Sequence, residues 1–327
     1  MQDTSITWAD WTWNPIRGCS RISPGCQHCY AEALAARHSV ASAKRPNPPF
    51  AGFAEFRIIG GKKEPHWTGK VELIEEKLLE PLSWRKRAKS FAIKHGRKPR
   101  GFISMSDLFH EALPDEAIDH VFAVMALTPE INYMILTKRA ERMAVYVGDR
   151  QDSKAIYSRA MWMSICKKYK ERVGTKFPLP NVALGVSVES QKYADERIPH
   201  LLRTPAAMRF VSYEPALEAV DWDRCYRDHT DGLCDHETSG INMILIGGES
   251  GQGARPFDIA WARQAVAQCR AAGVAPFVKQ MGARVVTCRG CDDPACKEPQ
   301  SYRDRKGEDM TEWPEDLRVR EWPEGWN

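Results

Sequence analysis

The sequence predicts an α/β fold, a complete or partial TIM-like (β/α) barrel, from three observations. From residue 100 onward, short β-rich runs alternate with segments of helical periodicity. The runs are apolar along their length, which indicates strands buried on both faces of a parallel sheet. Each run also ends in polar or charged residues, and the carboxyl ends of barrel strands form the rim where active sites are built. A doubly wound parallel sheet is the alternative fold.

The predicted strands comprise one N-terminal strand and six later runs. The six runs are 101–107, 132–139, 181–190, 208–215, 242–250 and 275–282. A helix opens at Pro114, where a missing N–H is harmless, and another one around Trp261 ends near Gly273, which suits a C-cap. We expect the barrel to span residues 1–285 and a C-terminal extension with further cysteines to span 286–327.

The composition is that of a soluble globular protein. Of the 327 residues, 43% are hydrophobic and 28% are charged, which excludes disordered, collagen-like and small disulfide-rich classes. No apolar run reaches the roughly 18 residues needed to cross a bilayer, and the N-terminus lacks the pattern of a signal peptide. We therefore expect a cytoplasmic protein without a membrane partner. The ten cysteines then indicate metal or redox chemistry rather than disulfides.

Three of the cysteines form the sharpest pattern in the chain. The segment GCSRISPGCQHCYAE places Cys19, Cys26 and Cys29 on one loop directly ahead of a helical segment. Three thiolates on one loop can hold a [4Fe–4S] cluster and leave one iron without a protein ligand. Such an iron can bind S-adenosylmethionine for reductive cleavage to a 5′-deoxyadenosyl radical. The alternative is a zinc ion whose coordination His28 or His38 completes.

The chain resembles the bacteriophage and prophage three-cysteine-motif family, a divergent relative of the radical S-adenosylmethionine enzymes. Ordered blocks carry the resemblance over nearly the full length: TWNPIRGCSRISPGCQHCYAE, HWTGKVEL, SMSDLFHE, LTKRAERM, NVALGVSVESQKYADERIP, RFVSYEP, GGESGQGARPFDIAW and PFVKQMG. The resemblance implies a barrel of the radical-enzyme type with the cluster at its rim. The usual radical enzyme has three residues between its first two cysteines, whereas this chain has six.

The resemblance also implies roles for individual residues. The three cysteines become the cluster ligands, and His28 takes the place of an aromatic side chain near the adenine of S-adenosylmethionine. Lys138 or Arg139 would pair with the methionyl carboxylate, for which an arginine offers bidentate geometry. Contacts to the methionyl amine and the ribose are implied for Gly247, Gly248, Glu249, Ser187 and Glu189. The candidate catalytic groups at the strand ends are Lys138, Arg139, Glu214 and Lys279.

Two later groups of cysteines lie outside the blocks of the resemblance. The first group follows the last strand and consists of Cys288, Cys291 and Cys296. The second group precedes the fifth of the six runs and consists of Cys225, His229, Cys234 and His236. Zinc or an auxiliary iron–sulfur cluster would explain either group, and reduced surface thiols are the alternative.

A nucleic acid or nucleotide is the expected substrate class. Residues 85–100 hold eight Lys or Arg and no acid, and such a block can neutralise phosphates, although a solvated helix end is the alternative. Tryptophans near this block and the cysteines can stack on bases or pack in the core: Trp8, Trp11, Trp13, Trp67 and Trp84. The phage setting that the resemblance implies favours DNA modification or repair. An electron donor is required, and the need for a separate partner protein stays open.

Two other functions remain open at this point. One is a zinc-stabilised protein that binds nucleic acid without turnover. The other is a hydrolase on a barrel that uses the strand-end carboxylates Asp107, Glu189, Glu214 and Glu249. Brown protein that contains iron and sulfide would support the radical enzyme. Colourless protein that contains zinc would support the binding function. Activity that survives the loss of the three cysteines would support the hydrolase.

Overall fold

The computed structural model describes residues 2–40, 46–149, 156, 177–227, 240–251, 253–287, 302–304 and 306–326. The chain divides into two units, each with its own set of parallel strands. Unit 1 comprises Met1–Ala183 with Pro205–Ala207, and unit 2 comprises Leu184–Thr204 with Met208–Asn327. Helices flank the parallel strands, so that the protein has the mixed α/β fold that the sequence predicts.

Unit 1 contains short N-terminal strands, a hairpin and the first parallel strands. Its strands are β1 (Gln2–Asp3), β2 (Trp11–Thr12), β3 (Ile16–Arg17), β4 (Ala54–Ile59), β5 (Lys62–Trp67), β6 (Glu72–Leu73), β7 (Arg100–Phe102) and β8 (Asn132–Thr137). Its helices are α1 (Tyr30–Arg37), α2 (Glu75–Leu78), α3 (Glu80–His95), α4 (Asp115–Leu127) and α5 (Ala140–Asp149). A single 3₁₀ turn spans Pro24–Cys26.

Parallel pairing in unit 1 follows the order β2, β7 and β8. β1 joins β2 in the antiparallel sense, while β3–β6 and β4–β5 form separate antiparallel ribbons. α4 provides the crossover from β7 to β8 and begins directly after Pro114, as the sequence predicts. Its inner face buries apolar side chains at helical spacing, among them Ile118, Val121 and Phe122.

Unit 2 repeats the alternation of strand and helix. Its strands are β9 (Val182–Ser187), β10 (Met208–Tyr213), β11 (Met243–Gly247), β12 (Phe257–Asp258), β13 (Ala275–Gln280) and β14 (Val285–Val286). The first two residues of β9 belong to unit 1, and the strand enters unit 2 at Leu184. Its helices are α6 (Gln191–Leu202), α7 (Trp222–Arg227) and α8 (Ile259–Ala271), with 3₁₀ turns at Met310–Glu312 and Glu315–Leu317. β10, β11 and β13 pair in parallel, and β9 neighbours β10.

All six predicted runs contain strands, and the predicted N-terminal strand is β2. One sheet thus contains seven parallel strands, an arrangement compatible with a partial (β/α) barrel, and the short strands β12 and β14 form a further parallel pair. Every residue of β9, β10 and β11 is buried, which agrees with strands covered on both faces. The helix α8 ends as predicted, since Gly273 follows its C-cap with a φ of +69°.

The tryptophans near the N-terminus belong to the core of unit 1. Trp8, Trp11, Trp13, Trp67 and Trp84 are each at most 6% exposed. Trp13 packs against Tyr133 and donates its Nε1 hydrogen to the Lys77 carbonyl at 2.9 Å. The interpretation of these rings as base-stacking platforms is therefore wrong, and the alternative of core packing is correct.

The basic block of residues 85–100 meets acids from elsewhere in the chain. Arg85 forms a bidentate pair with Glu130, with nitrogen–oxygen distances of 2.7–3.1 Å. Other partners are Asp3, 2.8 Å from Arg87, and Asp10, 2.7 Å from Arg97. Three acids thus offset part of the charge that the sequence concentrates there. No helix in the described residues is long and apolar enough to cross a membrane.

Replacing Trp13 with alanine is expected to lower the free energy of unfolding by about 3–5 kcal/mol, since a large buried ring is lost. Urea denaturation followed by circular dichroism measures the change. Ile93→Ala, at a side chain that is 87% exposed, is the matched control and should change stability by less than about 0.5 kcal/mol. Equal effects of the two substitutions would contradict the placement of Trp13 in the core.

Candidate functional site

The cysteine loop, residues 18–29, joins β3 to α1 and is shaped by a glycine and a turn. Gly18 has a φ of +89°, and a Cβ on it would lie 1.8 Å from the Lys70 carbonyl oxygen, so glycine is required there. The predicted Pro-Gly turn is the 3₁₀ turn Pro24–Cys26. Cys29 occupies the N-cap of α1, and its carbonyl accepts the first helical hydrogen bond.

Hydrogen bonds attach the cysteine loop and its flanks to the chain that follows β7. The Asn14 side-chain oxygen accepts two backbone N–H groups there, that of Ser104 at 2.9 Å and the next one at 3.1 Å. Tyr30, directly after the loop, donates its hydroxyl to the Ser104 carbonyl at 2.7 Å. The Ser106 hydroxyl donates to the Ile16 carbonyl at 3.1 Å. The loop therefore lies at the carboxyl end of a parallel strand.

Arg139, just beyond the carboxyl end of β8, connects the cysteine loop to the same edge. Its Nε donates to Glu111 at 2.8 Å, and Nη1 donates to Asp107 at 3.1 Å and to Cys19 Sγ at 3.9 Å. Nη2 donates to the Ser20 hydroxyl at 2.8 Å and to the Ser20 carbonyl at 3.4 Å. These acceptors engage the five N–H donors of a guanidinium. Arg139 is thus a fixed cation beside the Cys19 thiol.

Asp107 holds Arg139 in this position. Its buried carboxylate also accepts the Thr137 hydroxyl at 2.6 Å, the backbone N–H of Lys138 at 3.0 Å and that of Phe109 at 3.0 Å. A carboxylate that accepts hydrogen bonds on both oxygens is held in one orientation. Asp107 therefore serves as a structural acceptor between the ends of β7 and β8.

His110 completes the support of Arg139 through Ser20. The Nδ1 atom of His110 accepts the backbone N–H of Ala112 at 3.1 Å, so in the neutral ring the proton sits on Nε2 and is donated to the Ser20 hydroxyl oxygen at 2.8 Å. Burial, assisted by Arg139, lowers the pKa of His110 and favours this neutral form. Ser20 Oγ then accepts hydrogen bonds from both His110 and Arg139, which leaves its own proton for another acceptor.

The thiols of the cysteine loop are half-buried, and Cys19 and Cys29 influence each other. Burial raises the pKa of the Cys19 thiol to about 12, with a further rise from Asp107 and Cys29 against the opposing effect of Arg139. Burial also raises the pKa of Cys29, where Cys26 adds to the effect and the Lys138 ammonium opposes it. Both buried thiols are therefore protonated at neutral pH unless a metal displaces their protons.

Two of the three thiols, those of Cys19 and Cys29, lie in apolar surroundings with cations nearby. Cys19 and Cys29 pack against an apolar cluster that consists of Ala31, Ala35, Ala36, Ala54, Trp67 and Met105. Iron–sulfur clusters bind soft thiolate donors, and nearby cations balance their negative charge. Arg139 and Lys138 are the neighbouring cations here. Within the described residues, no group of three or more His, Cys, Asp or Glu side chains is arranged to hold a single metal ion.

Lys138 and His28 differ in how they relate to this site. The half-buried Lys138 ammonium acts on the Cys29 thiol, and within the described part of the chain it forms no ion pair with a carboxylate. His28 is exposed in the turn directly ahead of Cys29. Lys138, Arg139 and the cysteines are thus together in unit 1, while the roles that the resemblance implies for Lys138, Arg139 and His28 remain predictions.

Unit 2 brings together three of the other predicted residues. Glu214 and Lys279 form an ion pair at 2.5 Å, and each side chain is less than one-fifth exposed. Gly247 lies beside them, since a Cβ on it would be 3.6 Å from the carboxyl carbon of Glu214. This pair is accessible enough to meet a ligand and buried enough to be electrostatically strong.

The remaining strand-end carboxylates of unit 2 are held by arginines. Glu189 is 1% exposed and lies 3.0 Å from Arg197, which also donates to the Ser187 carbonyl at 2.9 Å. Glu249 accepts three hydrogen bonds from Arg255, one of them from its backbone N–H. A Cβ on Gly248 would lie 2.3 Å from the Met281 carbonyl oxygen, so this glycine is needed for packing. The predicted cofactor contacts of these residues remain predictions.

The later cysteine groups are described only in part. Cys225 is buried in α7, where its thiol donates to the Asp221 carbonyl at 3.4 Å. The other predicted ligands of both groups lie outside the described residues: His229, Cys234, His236, Cys288, Cys291 and Cys296. The second metal site therefore remains a prediction.

Sequence reasoning missed the side chains that hold the site together. Asn14, Ser20, His110 and Glu111 carry no chemical motif of their own, and their function follows from contacts across 28 to 119 positions of the chain. One usable signal was present, because the block SMSDLFHE begins within the end of the predicted run 101–107 and combines a serine pair, a carboxylate and a histidine.

Gly18→Ala is expected to destabilise the protein by about 1–3 kcal/mol more than Gly69→Ala does. The two glycines have nearly the same φ, +89° and +88°, but a Cβ on Gly69 meets nothing within 4 Å. The pair therefore separates the clash with Lys70 from the cost of the left-handed conformation. Urea denaturation of both variants measures the difference, and equal stabilities would show that the loop does not have this close approach.

In metal-free protein, the alkylation rate of Cys19 by iodoacetamide is expected to keep rising above pH 9. The thiolate is the reactive form, and with a pKa of about 12 it is a minor species across this range, whereas the urea-unfolded chain titrates near the ordinary value. Mass spectrometry of the labelled peptides measures the rates. Cys225, whose pKa burial also raises to about 12, is the matched control. A Cys19 rate that levels off near pH 9 would contradict the prediction.

Comparison with known proteins gives one match. A protein-family model described as a protein of unknown function (DUF5131) matches residues 3–312. No curated protein and no solved structure matches the chain. The matched segment contains the cysteine loop, both strand ends that support it and the described strands of unit 2. Since the match extends over nearly the whole chain, the protein belongs to the DUF5131 family.

Proposed function

We propose that Cys19, Cys26 and Cys29 hold a [4Fe–4S] cluster and that the protein is a radical S-adenosylmethionine-type enzyme. The observation that carries this proposal is the position of the cysteine loop. Its flanks bond to the chain after β7, and Cys19 lies against Arg139 after β8. Parallel α/β folds build their active sites at this edge, and three thiolates leave one iron open to S-adenosylmethionine.

The charges around the thiols support the same function. Three thiolates bring negative charge into a half-buried site, and an uncompensated buried charge is costly. Arg139 lies 3.9 Å from Cys19 Sγ, and Lys138 acts on Cys29, so that one cation faces each of these two cysteines. Cationic neighbours and hydrogen bonds to the sulfurs are also the means by which proteins adjust cluster potentials.

The chain's own residues would bind and orient the cofactor. When bound, the cluster supplies the single electron that cleaves S-adenosylmethionine. We assign the methionyl carboxylate to Lys138, because Arg139 has committed its donors to Glu111, Asp107 and the cysteine loop. The free proton of the Ser20 hydroxyl gives the site a further hydrogen-bond donor next to Cys19.

Unit 2 supplies the proposed catalytic pair. Glu214 and Lys279 share a hydrogen bond and can exchange a proton with a bound substrate. The methionyl amine and the ribose are assigned to the residues that the family resemblance implies: Gly247, Gly248, Glu249, Ser187 and Glu189. The proposed enzyme acts in the cytoplasm on a nucleic acid or nucleotide, and it needs an external electron donor.

Iron and acid-labile sulfide should be present at about four of each per chain in protein purified without oxygen. The variant with Cys19→Ala, Cys26→Ala and Cys29→Ala should lose both, together with the visible absorption of the cluster. The matched control is Cys269→Ala, which removes a fully buried thiol from α8 and should leave the iron content unchanged. Zinc without sulfide in the wild type would overturn the cluster and favour the zinc-stabilised binding protein.

Lys138→Met is expected to weaken the binding of S-adenosylmethionine to iron-loaded protein about tenfold, since a charge-assisted hydrogen bond is lost. Calorimetric titration measures the affinity. Lys98→Met removes the same charge near the amino end of β7 and should bind like the wild type. Iron content of both variants separates a loss of cofactor affinity from a loss of the cluster. Unchanged affinity in Lys138→Met at full iron content would contradict the assigned role.

A further inference from the structure

The β4–β5 hairpin is a two-stranded ribbon with a tight turn. Its register runs from Ala54 opposite Trp67 at the base to Ile59 opposite Lys62 at the turn. Two glycines at positions 60 and 61, with φ of +57° and +76°, close the turn in the conformation that two-residue hairpins need. Six paired residues on each strand extend the ribbon by about 20 Å.

The base of this hairpin is attached to α1 and to the cysteine loop. The backbone N–H of Trp67 donates to the fully buried Glu32 carboxylate of α1 at 2.7 Å. Arg21, within the cysteine loop, donates to Glu32 at 2.8 Å and to the Pro65 carbonyl at 2.9 Å. Ala54 and Trp67 are buried in the apolar cluster of α1. One buried carboxylate thus fixes the ribbon and the candidate cluster site to the same helix.

The far end of the hairpin is uncovered and combines apolar with cationic side chains. Ile58 is 72% exposed and Ile59 is 45% exposed. They lie opposite Lys63 and Lys62 respectively, and since successive side chains point to opposite faces, each face of the ribbon carries one isoleucine beside one lysine. Neither lysine forms an ion pair with a carboxylate in the described part of the chain.

We propose that this hairpin is an arm that binds double-stranded DNA. A two-stranded ribbon matches the major groove of B-DNA, about 12 Å wide, whereas the corresponding groove of duplex RNA is too narrow for it. A ribbon in the groove has phosphates on both sides, which suits a lysine on each face. The isoleucines then contact thymine methyl groups or wedge at a base step. A membrane would instead favour a single continuous apolar face.

The arm gives the candidate enzyme a substrate class. Its base is held by Arg21 of the cysteine loop, so DNA bound at the turn lies about 20 Å from that loop, a distance of less than one helical turn of duplex. The role of the arm in presenting substrate rests on the proposed function, while DNA binding itself does not. Three arginines of the 85–100 block are already paired with acids. The uncovered hairpin is therefore better suited than that block to contact DNA.

The test is the affinity of full-length protein for a fluorescein-labelled 20-base-pair DNA, measured by anisotropy over a range of salt concentrations. Lys62→Gln with Lys63→Gln should weaken binding at least tenfold at low salt and reduce the slope of log affinity against log salt by about two. Ile58→Ser with Ile59→Ser should weaken binding severalfold and leave that slope unchanged. All four side chains are exposed, so these variants are expected to keep the wild-type fold and iron content.

The matched control is Lys86→Gln with Lys94→Gln, which removes the same charge from the exposed surface of α3. It should bind the duplex within about twofold of the wild type. An equal loss in this control, or hairpin variants that bind like the wild type, would overturn the proposal. So would wild-type binding to anionic phosphatidylglycerol vesicles but not to the duplex. Iron content measured in the same preparations shows separately whether the proposed cluster is present.

Discussion

The buried guanidinium of Arg139 is the interaction on which the candidate site depends. A buried cation is tolerated only when acceptors surround it, and the acceptors here are Asp107, Glu111, Ser20 and Cys19. Two of them lie after β7 and two on the cysteine loop, so satisfying one charge joins a loop and two strand ends. Loss of Arg139 would leave the Asp107 carboxylate buried without its cation, which is why the arrangement is cooperative rather than a sum of separate contacts.

The same electrostatic constraint separates the roles of the two neighbouring cations. Arg139 directs its donors to protein acceptors and acts as a fixed charge beside Cys19. Lys138 follows the same strand but points its ammonium toward the region of Cys29 without a carboxylate partner among the described residues. Both residues lie just beyond the carboxyl end of β8, where their side chains meet different groups. One of them therefore supports the site, and the other is left to meet a ligand.

Several features of this protein were predictable because they arise from local patterns. The alternation of apolar strands with helices predicted the six later strands of the seven-stranded parallel arrangement, although not the short parallel pair β12 and β14, and the Pro-Gly turn of the cysteine loop was visible in the sequence. The tryptophans and the basic block were less predictable. A tryptophan on a base and one in a core have the same sequence signature, and the acids that pair with Arg85, Arg87 and Arg97 lie 45 to 87 positions away. Local composition carries no information about such partners.

The sequence by itself determined the alternation of strands with helices and the three thiols on one loop, because periodicity and spacing are local properties. Only the tertiary structure decided which groups surround those thiols, that Asp107 is a structural acceptor, and that the isoleucines of the β4–β5 hairpin are uncovered. Such outcomes depend on which distant segments pack together. Burial and pairing of a charge are properties of that packing, and one segment of sequence cannot specify them alone.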